Sequence, residues 1–189
     1  MEHVIAGVRS GALEPHEDPR GSFTEVFASQ WPTGVIPTQW SIVRSHAGAL
    51  RGMHLHLRHD EYLTVISGTL WVGLHDLRPG SATVGASQLI RLSGDAPSYL
   101  AWPRGLVHGW VAESDVTHLQ AVSESYVDYA TDDNLGCRWD DHELALDWPV
   151  TPRTISDRSE GFGALSDLRA FVERHEGRTA TSDLGAAVP

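Results

Sequence analysis

One stretch of the chain concentrates residues able to do chemistry: Arg51-Gly52-Met53-His54-Leu55-His56-Leu57-Arg58-His59-Asp60-Glu61. Alternate side chains of a strand share a face, so His54 and His56 point one way and Met53 and Leu55 the other. Glu61 follows His56 by five residues, and much later His108 closes the run Pro103-Arg104-Gly105-Leu106-Val107-His108. Two chemistries suit this set. Three neutral imidazoles and a carboxylate (His54, His56, Glu61, His108) suit a divalent Fe, Mn, Ni, Cu or Zn ion and leave positions open for substrate. Alternatively, a free imidazole serves as a general base. The two readings give His54 incompatible tasks, because a metal-bound nitrogen has no lone pair left for a proton. Each histidine taken singly also fits a plain role as a hydrogen-bonded residue lining a pocket.

The elements that must position these residues read as short strands. Gly, Pro and Asp turns bound the segments Phe23–Phe27, Thr38–Ser45, Gly52–His56, Glu61–Ser67, Thr69–Asp76, Ser87–Leu92, Ser98–Trp102, His108–Ala112 and Val116–Glu124. Many short strands at this spacing predict a sandwich or barrel. Leu165, Leu168, Phe171 and Val172 mark one amphipathic helix near the C-terminus, and the small, polar stretch from Gly177 to Pro189 predicts disorder. The expected plan is an all-β domain over residues 1–176, with an N-terminal arm, a barrel core of about 38–124, a short C-terminal helix and a disordered tail over 177–189. Trp40, Trp71, Trp102 and Trp110 read mainly as barrel core.

Composition narrows the partners. The 189 residues carry a formal net charge of −11, which repels phosphate backbones and argues against nucleic acid. No stretch reaches the roughly 18 apolar residues of a membrane span. The N-terminus lacks the basic and apolar regions of a secretory signal, so a cytoplasmic location is expected. All 14 basic residues are Arg. Cys137 stands alone, has no evident base partner and reads as structural.

The spacing His-x-His, Glu, Gly68 and Pro-x-Gly-x-x-His resembles the two general motifs of cupins, which fold as a double-stranded β-helix, or jelly-roll barrel. A more specific resemblance covers Asp18 to Asp157. Asp18-Pro19-Arg20-Gly21-Ser22-Phe23-Thr24-Glu25, Leu50-Arg51-Gly52-Met53-His54, Asp76-Leu77-Arg78-Pro79-Gly80-Ser81-Ala82-Thr83-Val84-Gly85, Pro103 to Trp110, Trp139-Asp140-Asp141, Asp147-Trp148-Pro149 and Ile155-Ser156-Asp157 are similar, in order, to motifs of the dTDP-4-dehydrorhamnose 3,5-epimerases. The resemblance implies a cofactor-independent isomerase that removes a proton α to a ketone and returns it on the other face, acting on a dTDP-4-keto-6-deoxyhexose at C3, C5 or both.

It also implies site residues. His54 is the base and Asp157 orients it. Arg20, Phe23, Glu25, Gln39, Arg51 and His108 hold nucleotide or sugar, together with Tyr126 and Tyr129 near the following loop. The Arg20–Glu25 arm reaches a neighbour's site, which implies a homodimer. Two positions depart from the family. Tyr62 is matched to the enolate-stabilising Lys, and Gln120 to the Tyr that acts as acid. Losing one oxyanion donor costs about 3 kcal/mol of transition-state stabilisation, so something must replace it. Two alternatives remain open: a metal-dependent cupin enzyme built on His54, His56, Glu61 and His108, and a non-catalytic ligand-binding cupin.

Overall fold

A computed structural model describes residues 3–125 and 133–184. Its architecture is two facing five-stranded antiparallel sheets, within the sandwich or barrel class expected from the turn spacing and matching the double-stranded β-helix that the resemblance implies. With β1 Arg9–Ala12, β2 Pro15–Asp18, β3 Gly21–Thr24, β4 Gln39–Ser45, β5 Leu50–Leu55, β6 Glu61–Ser67, β7 Thr69–Asp76, β8 Ser87–Ser93, β9 Ser98–Trp102, β10 Leu106–Ala112, β11 Val116–Val122 and β12 Leu135–Gly136, the strand orders are β1-β9-β6-β11-β4 and β12-β5-β10-β7-β8. β2 and β3 form a separate hairpin. A four-residue helix α1 (Asp157–Glu160) precedes α2 (Leu165–Leu184). Helix α2 therefore runs past residue 177, where the small, polar composition predicts the end of order; residues 185–189 of that tail lie outside the described residues.

Side-chain alternation builds three apolar layers. Leu63 and Val65 of β6, Leu70, Val72 and Leu74 of β7, Leu100 and Trp102 of β9, and Leu106 and Trp110 of β10 meet between the sheets. On the outer face of the second sheet, Met53, Leu55 and Val107 pack under Cys137, Leu144 and the α2 residues Leu165, Leu168 and Val172. On the outer face of the first sheet, Tyr62, Tyr99, Ala101 and Ala121 lie under Leu13 and Val35 of the N-terminal arm. Strand β10 is consequently buried along all seven residues, which is why Leu106-Val107-His108-Gly109-Trp110-Val111-Ala112 reads as a nearly unbroken apolar run. Cys137 has its structural place here, and burial, with Asp141 nearby, pushes its thiol up to about 12.

β1 and β12 extend the two sheets beyond the expected barrel core. β1 pairs with β9, Arg9 opposite Ala101, and β12 pairs with β5, Leu135 opposite Leu55. Both are short edge strands whose place is set by the strand beside them.

A histidine is also buried in the core. His118 on β11 is fully buried, its ring edge-on to Trp110 at 5.2 Å between centroids. Neither ring nitrogen has a hydrogen-bond partner among the described residues. Burial, then the charge of Arg51, lowers its pKa to about 4, against a partial rise from Glu61. The unfolded chain binds this proton near pH 6.5 and the folded chain does not until about pH 4, so stability is lost as pH falls through that window. His118→Leu removes an unsatisfied polar group, and stability at pH 7 should rise by about 1 kcal/mol. Urea unfolding at pH 7 and pH 5 checks this: the variant should lose less than the parent over that interval.

Candidate functional site

The site lies at the end of the barrel where polar side chains replace the apolar layer. Its position depends on a close approach of two strands. Gly52 of β5 adopts φ +125°, and a Cβ there would fall 2.6 Å from the Gly109 Cα and 2.8 Å from the His108 carbonyl oxygen. The glycines let β5 and β10 meet and set His54 opposite His108 in register. β6 contributes Glu61 at its first residue, β11 contributes Gln120, and the β5–β6 connection contributes His56 and His59.

The buried carboxylate of Glu61 is the focus of the cluster. Its Oε1 lies 3.1 Å from His108 Nε2, 3.2 Å from His56 Nε2 and 3.7 Å from His59 Nε2. Its Oε2 accepts a hydrogen bond from Gln120 Nε2 at 2.8 Å. Burial works against the Glu61 charge, but His108 and the contacts with His56 and His59 outweigh it and hold the carboxyl well below its ordinary range. Asp133, also buried, ties the connection down. Its carboxylate accepts from the backbone N–H groups of Leu57 at 2.6 Å and Arg58 at 3.0 Å, and lies 2.9 Å from His59 Nδ1. Burial opposes the His59 charge as well, but Asp133 and Glu61 raise its pKa to about 9, so His59 is an imidazolium at neutral pH.

His54 stands apart. Its ring is 6.2 Å from both the His56 and His108 rings and packs edge-on against Phe162 at 5.9 Å. No hydrogen bond ties it to a described residue. Burial, then the neighbouring His108 and His56, lowers its pKa to about 3 despite Glu61, so the imidazole is neutral and its unprotonated nitrogen keeps a basic lone pair.

These groups border an open cavity of about 440 Å³ lined by Arg51, His54, His56, His59, Glu61 and Gln120 on one side and by Asn134, Thr154, Ser156 and Ser159 on the other. It can take a proton at His54 and offers a cationic, hydrogen-bonding wall beside it. Arg51 stands at its exposed rim, its guanidinium donating to Ser45 Oγ at 3.0 Å and to the Arg44 carbonyl at 3.1 Å.

Several expected site residues lie elsewhere. Tyr62 does not reach the cavity, because it sits on the opposite face of β6 from Glu61. Its ring is buried against Phe27, Trp40 and Tyr99 and its hydroxyl donates to the Val26 carbonyl. Glu61 is therefore the β6 residue that faces the histidines. Asp157 does not orient His54. It is exposed at the start of α1, while Ser156 caps that helix and the next turn carries Ser159 inward, 3% exposed, onto the cavity. Arg20, Phe23 and Glu25 belong to the exposed β2–β3 hairpin and its exit; Phe23 is 66% exposed and Arg20 pairs with Asp18 at 2.6 Å. Gln39 starts β4, half-buried and away from the lining. Tyr126 and Tyr129 lie outside the described residues. The proposed four-ligand metal set also divides: ligand atoms of His56, Glu61 and His108 lie within 4.8 Å of one another, and His54 is not among them. Asp133, Asn134 and Ser159 escape sequence reasoning, since nothing in their local pattern sets them apart from loop and capping residues.

A family model described as dTDP-4-dehydrorhamnose 3,5-epimerase matches residues 2–167. The chain is 30% identical over 169 residues to the dTDP-4-dehydrorhamnose 3,5-epimerase of Escherichia coli, covering 82% of this chain and 89% of that one. It is 30% identical over 173 residues to a dTDP-4-dehydrorhamnose 3-epimerase of Streptomyces niveus, covering 87% and 83% respectively. Among solved structures, NovW of Streptomyces spheroides, a 4-keto-6-deoxy sugar epimerase, superposes with a TM-score of 0.80 at 27% identity over 89% of this chain and 88% of that one.

The Gly52–Gly109 approach is the backbone condition for this geometry. Gly52→Ala places a Cβ against backbone at a left-handed φ, and should cost about 2 kcal/mol or more. Thermal unfolding reads the loss; a variant as stable as the parent would mean that the two strands need not approach so closely.

Proposed function

The chain belongs to the dTDP-4-dehydrorhamnose 3,5-epimerase family, and on that premise we propose that it epimerises a dTDP-4-keto-6-deoxyhexose with His54 as the general base. It is an isomerase acting on a carbohydrate, and the reaction calls for no cofactor. The observation that carries the assignment of the base is the state of His54: a neutral imidazole with no hydrogen bond to a described residue, facing a cavity large enough for a sugar.

The chemistry follows from the wall. His54 takes the hydrogen on the carbon next to the ketone, and charge develops on the ketone oxygen. A base with a pKa near 3 is always unprotonated but intrinsically weak, so the enolate must be strongly stabilised. With no Lys in the chain, the donors on the site's wall include the His59 imidazolium and the Gln120 amide. Return of a proton to the opposite face needs a second donor. Tyr62 and Tyr99 are stacked together on the outer face of the sheet at 5.5 Å, which leaves Tyr126, Tyr129 or water. A site with one base and a solvent-supplied proton suits a single centre, C3 or C5.

Arg51 at the rim would bind the diphosphate. The β2–β3 hairpin extends Arg20, Phe23 and Glu25 away from their own cavity, which supports their use in the site of a second copy and hence a homodimer. No described helix is long and apolar enough to cross a membrane, in keeping with a cytoplasmic location for the unit spanning residues 1–176.

Proton NMR of dTDP-4-keto-6-deoxyglucose in D₂O tests the reading. Enzyme-dependent deuterium at C3 or C5, lost in His54→Asn by a factor of at least 10³, is the expected result. Exchange that survives His54→Asn would remove His54 from the role of base, and no exchange with the parent enzyme would sink this substrate. The pH profile adds a second check. Because the His54 pKa is lowered to about 3, its base form persists down to that pH, and kcat/KM should show no acidic limb centred near 6.5.

A further inference from the structure

Given His54 as the general base, a reading this inference rests on, we propose that Phe162 is the residue that positions it: the aromatic ring, seated on Gly136, holds the imidazole in place and keeps water from it. The resemblance gave that task to the carboxylate of Asp157, which faces solvent here. His54 lies on β5 with His108 of β10 opposite it on one side and Gly136 of β12 on the other. No described residue makes a hydrogen bond to its imidazole, so packing must set the orientation of the ring. The Phe162 ring stands at 90° to it, 5.9 Å away between centroids. The His56 and His108 rings are farther off, at 6.2 Å.

Phe162 can come this close because position 136 is glycine. A Cβ there would fall 2.5 Å from Phe162 Cε2 and Cζ, and 2.5 Å from the Met53 carbonyl oxygen. The ring thus fills the space that a side chain at 136 would take. Contacts on both sides pin it. Arg158 of α1 donates to the Asn134 carbonyl and sets its guanidinium over the Phe162 ring, 5.6 Å from the centroid. The Phe162 N–H donates to the Ser159 carbonyl at 3.3 Å, and the Gly163 carbonyl accepts from the Arg138 N–H at 2.9 Å. The segment from Arg158 to Gly163 is therefore stitched along residues 134–138, with Phe162 between the stitches.

An uncharged ring acts on an imidazole differently from a carboxylate. It does not raise the basicity of the base, but it fixes the ring and excludes water. That agrees with the charges around His54. Burial is the first cause of its lowered pKa; His108 on β10, His56 in the β5–β6 connection and Arg158 in α1 act in the same direction, and Glu61 on β6 opposes them. Orientation matters because a displacement of about 1 Å can cost a reacting group about 10²-fold in rate.

Phe162→Ala and Phe162→Leu test the assignment, first without substrate. In the parent protein, proton NMR should show Overhauser contacts between the His54 and Phe162 rings, and the His54 signals should not titrate between about pH 5 and pH 8. In Phe162→Ala water reaches the imidazole, and its proton affinity should rise about tenfold or more; in Phe162→Leu, which keeps an apolar cover, it should rise less. With dTDP-4-keto-6-deoxyglucose in D₂O, Phe162→Ala should lower kcat for exchange about tenfold or more while KM stays within about threefold. Phe162→Leu should recover part of that loss, which separates the role from a general folding defect. Absence of the ring contact in the parent, a His54 titration in Phe162→Ala identical to the parent's, or a loss confined to KM would overturn the proposal. No exchange by the parent enzyme would remove this substrate, whereas the ring contact and the His54 titration still decide whether Phe162 holds and dries the imidazole.

Discussion

The buried carboxylate of Glu61 is the interaction around which the site is organised. An ionised group with 1% exposure is tolerated only when charge and hydrogen bonding surround it. That requirement draws in Gln120 from β11, His108 from β10, and His56 and His59 from the β5–β6 connection. It extends outward to Asp133, which holds His59 and two backbone N–H groups of the same connection. Removing the carboxylate would take a partner from His59 and the acceptor at 2.8 Å from the Gln120 amide. The cluster behaves as a single electrostatic unit, while the neutrality of His54 comes first from burial and then from the neighbouring His108 and His56.

Much of the barrel is legible in the sequence because strand alternation and turns are local signals. The segments Glu61–Ser67, Thr69–Asp76 and Ser98–Trp102 coincide with β6, β7 and β9 to the residue. β1 and β12 are not legible. They are four and two residues long, and their pairing is decided by strands far away in the chain. The C-terminal helix is visible in Leu165, Leu168 and Val172, which pack on the outer face of the second sheet. Its length is not, because small polar residues carry no periodic pattern.

The site was legible in kind but not in detail. His54, His56, Glu61 and His108 announce themselves by spacing. Tyr62 illustrates where matching by spacing fails: on a strand an offset of one residue exchanges inside for outside, and the inward member of that pair is Glu61. The segment Ile155-Ser156-Asp157 fails differently. With Ser156 as cap, the first helical residue faces solvent and Ser159 turns inward, a choice that only the docking of α1 on the barrel decides. The His59–Asp133 contact joins residues 74 positions apart and has no local signature at all.

β10 has a consequence beyond packing. It is bonded to β5 on one side and β7 on the other, and both of its faces are covered. A strand so enclosed is among the last to open, and a side chain it carries has almost no latitude. His108 is therefore an immobile reference point. His56 and His59 ride on a connection between strands, so any tailoring of the cavity to differently shaped sugars falls to that half. Evolution of a new substrate preference in this chain would accordingly be sought in the connection and in the segment around Asp133, with the β10 side conserved as the anvil against which the other half is shaped.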